Sequence, residues 1–389
     1  MHVAERLDNL LPEITGWRRE LHRYPELEYE LPRTSGFVAE KLRAFGCDEV
    51  VEGIGRSGVV ALVHGRRRDS GRVVGLRADM DALPIVEATG AEWSSAEPGK
   101  MHACGHDGHT AMLLGAARAL ADARDFDGSV ALIFQPAEEG GAGAKAMLDD
   151  GLVERFGIER VFGMHNLPGL PLGEFAIRPG PLMACADQFD LLVVGRGGHA
   201  AMPHVCVDTM LVACQIVVAL QGIVSRNVRP TDPLVVTVTT MGVEGDAYNV
   251  IPETVRMRGT VRAFDEEVRL LAKRRIGEIA RHVAAAHGAT VTLDYEDGYP
   301  PTVNDADETQ FAAEVARAVA GEAKVDTDKA PVMGAEDFAY MLEARPGAFI
   351  FCGNGESAGL HHPEYDFDDE AIRHGCAYWL ALVERALPL

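Results

Sequence analysis

The feature that most constrains this fold is a rhythm of short apolar runs and helix-length segments that breaks off in mid-chain and later resumes. Before the break the residues predict a helix over 33–45 ending at Gly46, an apolar run at 73–76, a helix over 109–121 and an apolar run at 130–134. A helix over 144–148 stopping at Gly151 and a strand-like run at 161–164 follow. Apolar runs that alternate with helices build a largely parallel sheet with helices on its faces. After the YPPT string at 299–302 the rhythm returns as a helix over 308–320, an apolar run at 348–352 and a closing helix over 370–386.

The interruption has its own order. A strand at 187–194 leads to an apolar-rich helix over 207–225, then to strands at 234–241 and 254–264 joined by a Gly-containing loop. The next helix spaces Val268, Ala272, Ile276, Ile279 and Val283 by three or four residues, Gly288 ends it, and a strand at 290–295 closes the set. The order β-α-β-β-α-β is the split, ferredoxin-like arrangement. The expected architecture is therefore α/β. Residues 1–185 and 298–389 form one domain with a mixed, largely parallel sheet, and residues 186–297 form a smaller α+β insert.

A chain of 389 residues is long enough for two such domains. Its 37 basic against 59 acidic residues give a formal charge of −22, which repels phosphate backbones and disfavours nucleic acid as a partner. No uninterrupted apolar run reaches the roughly 18 residues of a membrane span. The seven cysteines form no CxxC pair, and MHVAERLDNLLPEI lacks the basic-then-apolar order of an export signal. The expectation is a cytoplasmic protein with no membrane partner.

Polar clusters follow the apolar runs at the edge of an α/β sheet where sites form. Asp79 and Asp81 follow VVGLRA, Glu138 and Glu139 follow VALIFQPA, His165 follows VFGM, and His361 and His362 follow AFIFCG. A fifth cluster packs His102, Cys104, His106, Asp107 and His109 into MHACGHDGHT. Singly, each is an ordinary cap, turn or buried residue; their convergence points to a metal site. Cys, His and Glu together suit Zn, Mn, Co or Ni better than Mg or Ca. Five candidate ligands, Cys104, His106, Glu139, His165 and His361, exceed the three of a single catalytic zinc and suit two ions ~3.5–4 Å apart. Glu138, beside a ligand, is placed to move a proton from a water to a leaving amine. The implied reaction is metal-assisted hydrolysis of an unactivated carbonyl such as an amide.

Eight strings, in order along nearly the whole chain, resemble the aminoacylase–hippurate hydrolase branch of the metal-dependent amidohydrolases. They are GLRADMDALP, MHACGHDGHTAM, FQPAEEGGAGAKAM, GMHNLP, GRGGHAAMPH, GTVRAFD, MGAEDFA and LHHPEYDF. That branch includes N-acyl-L-amino acid amidohydrolases, auxin-conjugate hydrolases and N-acetyl amino acid deacetylases. The resemblance implies a zinc-peptidase-like catalytic domain and an inserted lid and dimerisation domain. It implies two divalent ions per subunit (Mn, Zn, Co or Ni) on Cys104, His106, Glu139, His165 and His361, with Cys104 bridging. It makes Glu138 the general base and later the general acid. Asp79 stands where the wider clan has a His ligand, so Asp79 and Asp81 are expected to orient ligands from outside. His102 and His109 match no ligand position.

In the insert, His199 matches a residue reaching the partner subunit's active site to polarise the scissile carbonyl, and Asn249 and Arg262 match substrate contacts. An Arg fork suits an α-carboxylate, although Arg256, Arg258 and Arg262 also alternate as the wet face of a strand would. Gly334 and Glu336 are candidates for the pocket lining. The expected activity is cleavage of N-acyl or N-aroyl amino acids by a homodimer or homotetramer. An N-acetylcysteine or N-acetyldiaminopimelate deacetylase of the same family is the alternative. Two rivals stay open: a cysteine hydrolase with Cys104 as nucleophile and His106 or His109 as base, and a metal-loaded binding protein without turnover. The first leaves Glu138, Glu139, His165 and His361 unemployed and predicts activity that survives chelation. The second has no use for the free carboxylate of Glu138.

Overall fold

The computed structural model describes residues 3–389. By contacts the chain divides into two compact units. One comprises residues 3–182, 303–330 and 337–389; the other comprises residues 183–302 and 331–336.

The first unit is built on an eight-stranded mixed sheet. Its centre is four parallel strands in the order Ser129–Gln135, Val73–Asp79, Arg160–Leu167 and Gly347–Gly353. Every residue of Ser129–Gln135 and Gly347–Gly353 is buried, as strands covered on both faces require. The strands Glu49–Ile54 and Gly58–His64 add antiparallel pairs at one side. On the other side, the short strand Phe175–Ala176 runs antiparallel to Gly347–Gly353 and carries Val325–Asp326 parallel to it. Because the four central strands are parallel, their carboxyl ends share one edge, and the polar clusters gather there.

Most predicted elements extend by one to three residues in the structure. The helix expected from His109 begins at His106, so two site residues lie in its first turn. The strand expected to stop before His165 continues through it to Leu167, which places His165 in the strand rather than after it. The helix Val3–Arg23 and the antiparallel strands Glu49–Ile54 and Gly58–His64 carry no counterpart among the sequence expectations.

The second unit is a four-stranded antiparallel sheet in the order Leu234–Gly242, Thr254–Ala263, Ala186–Val194, Thr290–Tyr299. Helices Thr209–Arg226 and Glu266–Ala286 pack on it, which is the split βαβ topology. Asp187 is its buried polar anchor: its carboxylate accepts from Arg269 Nη2 at 2.6 Å, Tyr295 Oη at 2.7 Å and the Gly298 amide at 3.0 Å. Helix Thr209–Arg226 is long and apolar enough to cross a bilayer by length and composition. Here its Val212, Ala213, Ile216, Leu220 and Ile223 fill the core of this unit.

Candidate active site

Backbone geometry forces the ligand-bearing turn into shape. Gly105, between Cys104 and His106, has φ +87, and a Cβ there would lie 2.3 Å from Asn166 Nδ2 and 2.5 Å from Tyr365 Oη. Only glycine fits a left-handed position pressed that closely by neighbours. The helix that follows starts at His106 and presents His106 and His109 on one face, three residues apart. Across the sheet edge, Ala137 adopts φ +51 just before Glu138. The Asp81 carboxylate accepts the amides of Glu138 at 2.9 Å and Glu139 at 3.1 Å, and so fixes that strained turn. His361 also has a left-handed backbone, φ +64, and its amide donates to the Ala103 carbonyl at 2.8 Å.

These constraints bring together all five predicted ligands. Cys104, His106 and His165 offer donor atoms within 4.8 Å of one another, and so do Cys104, Glu139 and His361. Cys104 belongs to both groups. Its Sγ lies 3.4 Å from His165 Nε2, and Glu139 Oε1 lies 3.3 Å from His361 Nε2 and 3.9 Å from His106 Nε2. Glu138 Oε2 sits 4.0 Å from His106 Nε2. Among the described residues, Asp79, His106 and His109 form another such group, and so do His106, Glu138 and Glu139.

Hydrogen bonds decide which of these atoms are free for a cation. His106 Nδ1 donates to the Asp81 carbonyl at 2.8 Å, which leaves Nε2 buried without a hydrogen-bond partner. His165 Nδ1 donates to the Asn166 carbonyl at 2.6 Å, which turns Nε2 inward. Both imidazoles are thereby set in the tautomer a metal ligand needs. His109 is different. Its Nδ1 bonds Asp79 at 2.6 Å and its Nε2 accepts the Asn166 amide at 2.9 Å, so both nitrogens are taken. His109 therefore braces Asp79 and Asn166 and stands outside the ligand set. His102 is buried and neither ring nitrogen has a hydrogen-bond partner.

The electrostatics point the same way. Burial alone would lower the pKa of His106, but Asp79, Asp81 and Glu139 raise it to about 10, so the site calls for positive charge at that nitrogen. Burial holds the His165 pKa well below the usual range, and the nearby His109 and His106 add to this, so His165 is neutral. Burial pushes the Cys104 thiol well above its usual value, and Glu139, Glu138 and Asp79 push further. A nucleophilic cysteine requires the opposite shift. Soft and borderline donors, buried at Cys104, His106 and His165 and more open at Glu139 and His361, with a surplus of carboxylates and an unpartnered His106 Nε2, fit divalent cations.

Asp79 and Asp81 hold other residues in place. Arg77 Nη1 donates to Asp79 Oδ2 at 2.7 Å while His109 takes Oδ1. Arg77 also reaches Asp337 at 3.1 Å and Gln135 at 2.8 Å, and Asp337 accepts the Ala144 amide at 2.9 Å. Arg77, Asn166 and Asp337 escaped the sequence reading. The residue types carried a hint, since a buried Arg within an apolar strand demands an acidic partner.

The predicted substrate contacts lie in the second unit. His199 forms a two-residue strand paired with Val250–Ile251, and its Nδ1 accepts the Ala201 amide at 3.0 Å. The neighbouring Asn249 carbonyl accepts the Ala200 amide at 2.9 Å, and both side chains are exposed. Arg262 is half-buried on strand Thr254–Ala263 and donates to the Val261 carbonyl at 3.0 Å. Glu336 is buried and its carbonyl accepts from Thr302.

Residues 75–385 match the family model described as peptidase family M20/M25/M40. A hippurate hydrolase from Campylobacter jejuni is 39% identical over 386 residues, spanning 97% of this chain and 100% of that protein. An N-acetyl-L-cysteine deacetylase from Bacillus subtilis is 42% identical over 368 residues, spanning 94% and 86%. The crystal structure of a Bacillus subtilis protein described as a dinuclear metal-binding peptidase of the M20 family superposes with a TM-score of 0.85. It is 33% identical, and the match covers 98% of this chain and 99% of that one.

Proposed function

The chain belongs to peptidase family M20/M25/M40, and we propose that, as an amide hydrolase of that family, it cleaves N-acyl or N-aroyl amino acids to a carboxylic acid and a free amino acid. The observation that carries this reading is the sharing of Cys104 between two ligand groups. Cys104, His106, Glu139, His165 and His361 together would hold two ions. When bound, two divalent ions, of Mn, Zn, Co or Ni, supply Lewis-acid polarisation of the carbonyl and acidify a water.

The protein's own groups do the rest. Glu138 is buried beside the ligands, and its backbone amide is held by Asp81. It accepts a proton from the attacking water and delivers the same proton to the departing amine nitrogen. His199 donates a hydrogen bond to the carbonyl oxygen as negative charge develops there. Arg262 forks onto the substrate carboxylate, with Asn249 beside it. In this reading residues 186–297 act as lid and dimerisation domain and residues 1–185 and 298–389 as the catalytic domain. A cytoplasmic homodimer, alone or paired into a tetramer, brings His199 to its partner's site.

The test is hydrolysis of N-benzoyl, N-acetyl and N-indoleacetyl amino acids by protein stripped with chelator and reloaded with each metal. The expected result is loss on stripping, return on reloading and preference for an aroyl substrate. Preference for N-acetylcysteine assigns the deacetylase reading, which the 42% identity to such an enzyme supports. Activity that survives stripping and is lost on thiol alkylation overturns the two-metal mechanism.

A further inference from the structure

His22, which the mechanism above does not use, lies between two carboxylates. It is buried near the end of helix Val3–Arg23, with Nδ1 2.8 Å from Asp107 Oδ2 and Nε2 3.3 Å from Glu87 Oε1. Two carboxylates facing the two ring nitrogens require both to carry a hydrogen, which is the imidazolium form. Burial works against that charge, yet Asp107 and Glu87 raise the His22 pKa to about 9.

Each carboxylate belongs to a segment that leads directly to ligands. Asp107 is the second residue of helix His106–Ala123, next to His106 and three residues from Cys104. Arg18, one turn before His22 on the same helix, lies 3.7 Å from Asp107 and 2.9 Å from Asp369, and its Nη2 donates to the Phe367 carbonyl at 2.7 Å. Phe367 in turn presses on Gly108, where a Cβ would meet its ring at 2.2 Å. Glu87 lies in an irregular segment where Ser95 donates its amide to the other carboxylate oxygen at 2.7 Å. The next residue, Ala88, donates its amide to the Pro363 carbonyl at 2.8 Å, two residues from His361. The His361 side chain is 52% exposed, and its backbone is held by the Ala103 carbonyl on one side and, through Pro363, by Ala88 on the other.

We propose that His22 is a positioning residue, a charged brace that holds the Cys104–His106 turn and the His361 loop at the separation two metal ions need. The proposal rests on the metal-site reading above. It gives His22 no contact with substrate and no proton to transfer. Its effect falls on how ready the ligand set is before a cation arrives, since partners outside the ligand shell commonly govern affinity.

The experiment measures Zn²⁺ affinity of the full-length, metal-stripped protein by competition with a chromophoric chelator. It compares wild type, His22→Gln, Glu87→Gln, Asp107→Asn and the His22→Gln/Asp107→Asn double variant. Thermal melting of each stripped protein reports separately on folding. Loss of the brace weakens Zn²⁺ binding about 10- to 100-fold in His22→Gln. Glu87→Gln, which cuts only the arm toward His361, gives a smaller loss. The His22→Gln/Asp107→Asn double variant loses less than the two single losses multiplied together, because the two residues act as one contact. Should His22→Gln bind Zn²⁺ as wild type does, or lose affinity only in proportion to its folded fraction, the brace is overturned while the metal site stands. If wild type itself binds no Zn²⁺ tightly, the metal-site reading falls and the brace with it. Should His22→Gln fail to fold, Glu87→Gln decides alone: it removes one charge and leaves His22 and Asp107 in place, and unchanged affinity there refutes the proposal.

Discussion

Glu138 shows how little freedom the chain leaves a working side chain. Its amide is tied to Asp81, the residue before it sits in a strained backbone conformation, and its carboxylate lies 4.0 Å from a ligand nitrogen. Replacing Glu138 with Gln keeps the shape and removes the proton acceptor. The expected outcome is a fall in kcat of roughly 10²–10⁴-fold with metal content by elemental analysis unchanged. A parallel loss of metal makes Glu138 a ligand instead. At this scale the sequence is most readable where ligands follow strand ends, as Glu139 and His361 do. It is silent about Asn166, Asp337 and His22, whose roles depend on partners 57 to 260 positions away in the chain. No local pattern encodes such a pairing.

Elements differ in how openly they announce themselves. The central strands and the insert's helices carry strong apolar periodicity and lie where the spacing predicts. The helix at His106 starts three residues before its apolar face does, because its first turn serves the site rather than the core. The edge strand Glu49–Ile54 is largely exposed, so it lacks the apolar run that marks its neighbours. Two predictions belong here. In the insert, Asp187 satisfies Arg269, Tyr295 and the Gly298 amide in a buried setting. Asp187→Ala removes the buried partner of Arg269, leaving it only the half-exposed Glu266 at 3.2 Å, and lowers stability by about 3–5 kcal/mol, read by urea unfolding.

In the N-terminal helix, burial and Arg18 oppose the charge on His22, and Asp107 and Glu87 overcome them to raise its pKa from 6.5 to about 9. A folded pKa above the unfolded one stabilises at low pH, so this contribution is whole below about 6.5 and fades as pH rises toward 9. Melting temperatures of stripped wild type and His22→Gln therefore differ most near pH 6 and converge above pH ~9. A constant difference across that range refutes the charged state.

For the whole molecule, a cation bound only by the folded state adds stability by mass action, about 2.7 kcal/mol at 100 times Kd. Chelation lowers the melting temperature, and excess Zn²⁺ or Mn²⁺ restores it in a concentration-dependent way. The homodimer reading makes a sharper statement. If His199 serves its partner's site, then inactive His199→Ala and Glu138→Gln subunits, co-expressed, regain activity in mixed dimers that contain one intact site. Failure to complement, with mixed dimers demonstrated, returns His199 to its own subunit.

The order in which the sheet is laid down also bears on how the protein is made. Strand Gly347–Gly353 slots between Arg160–Leu167 and Phe175–Ala176, and His361 comes after it. A ribosome releasing this polypeptide exposes Cys104, His106, Glu139 and His165 long before the strand that closes their sheet. Throughout most of synthesis the nascent product holds a gap in its sheet and an incomplete grip on any ion. A chain ending before Gly347 would leave strand Arg160–Leu167 with an unpaired edge.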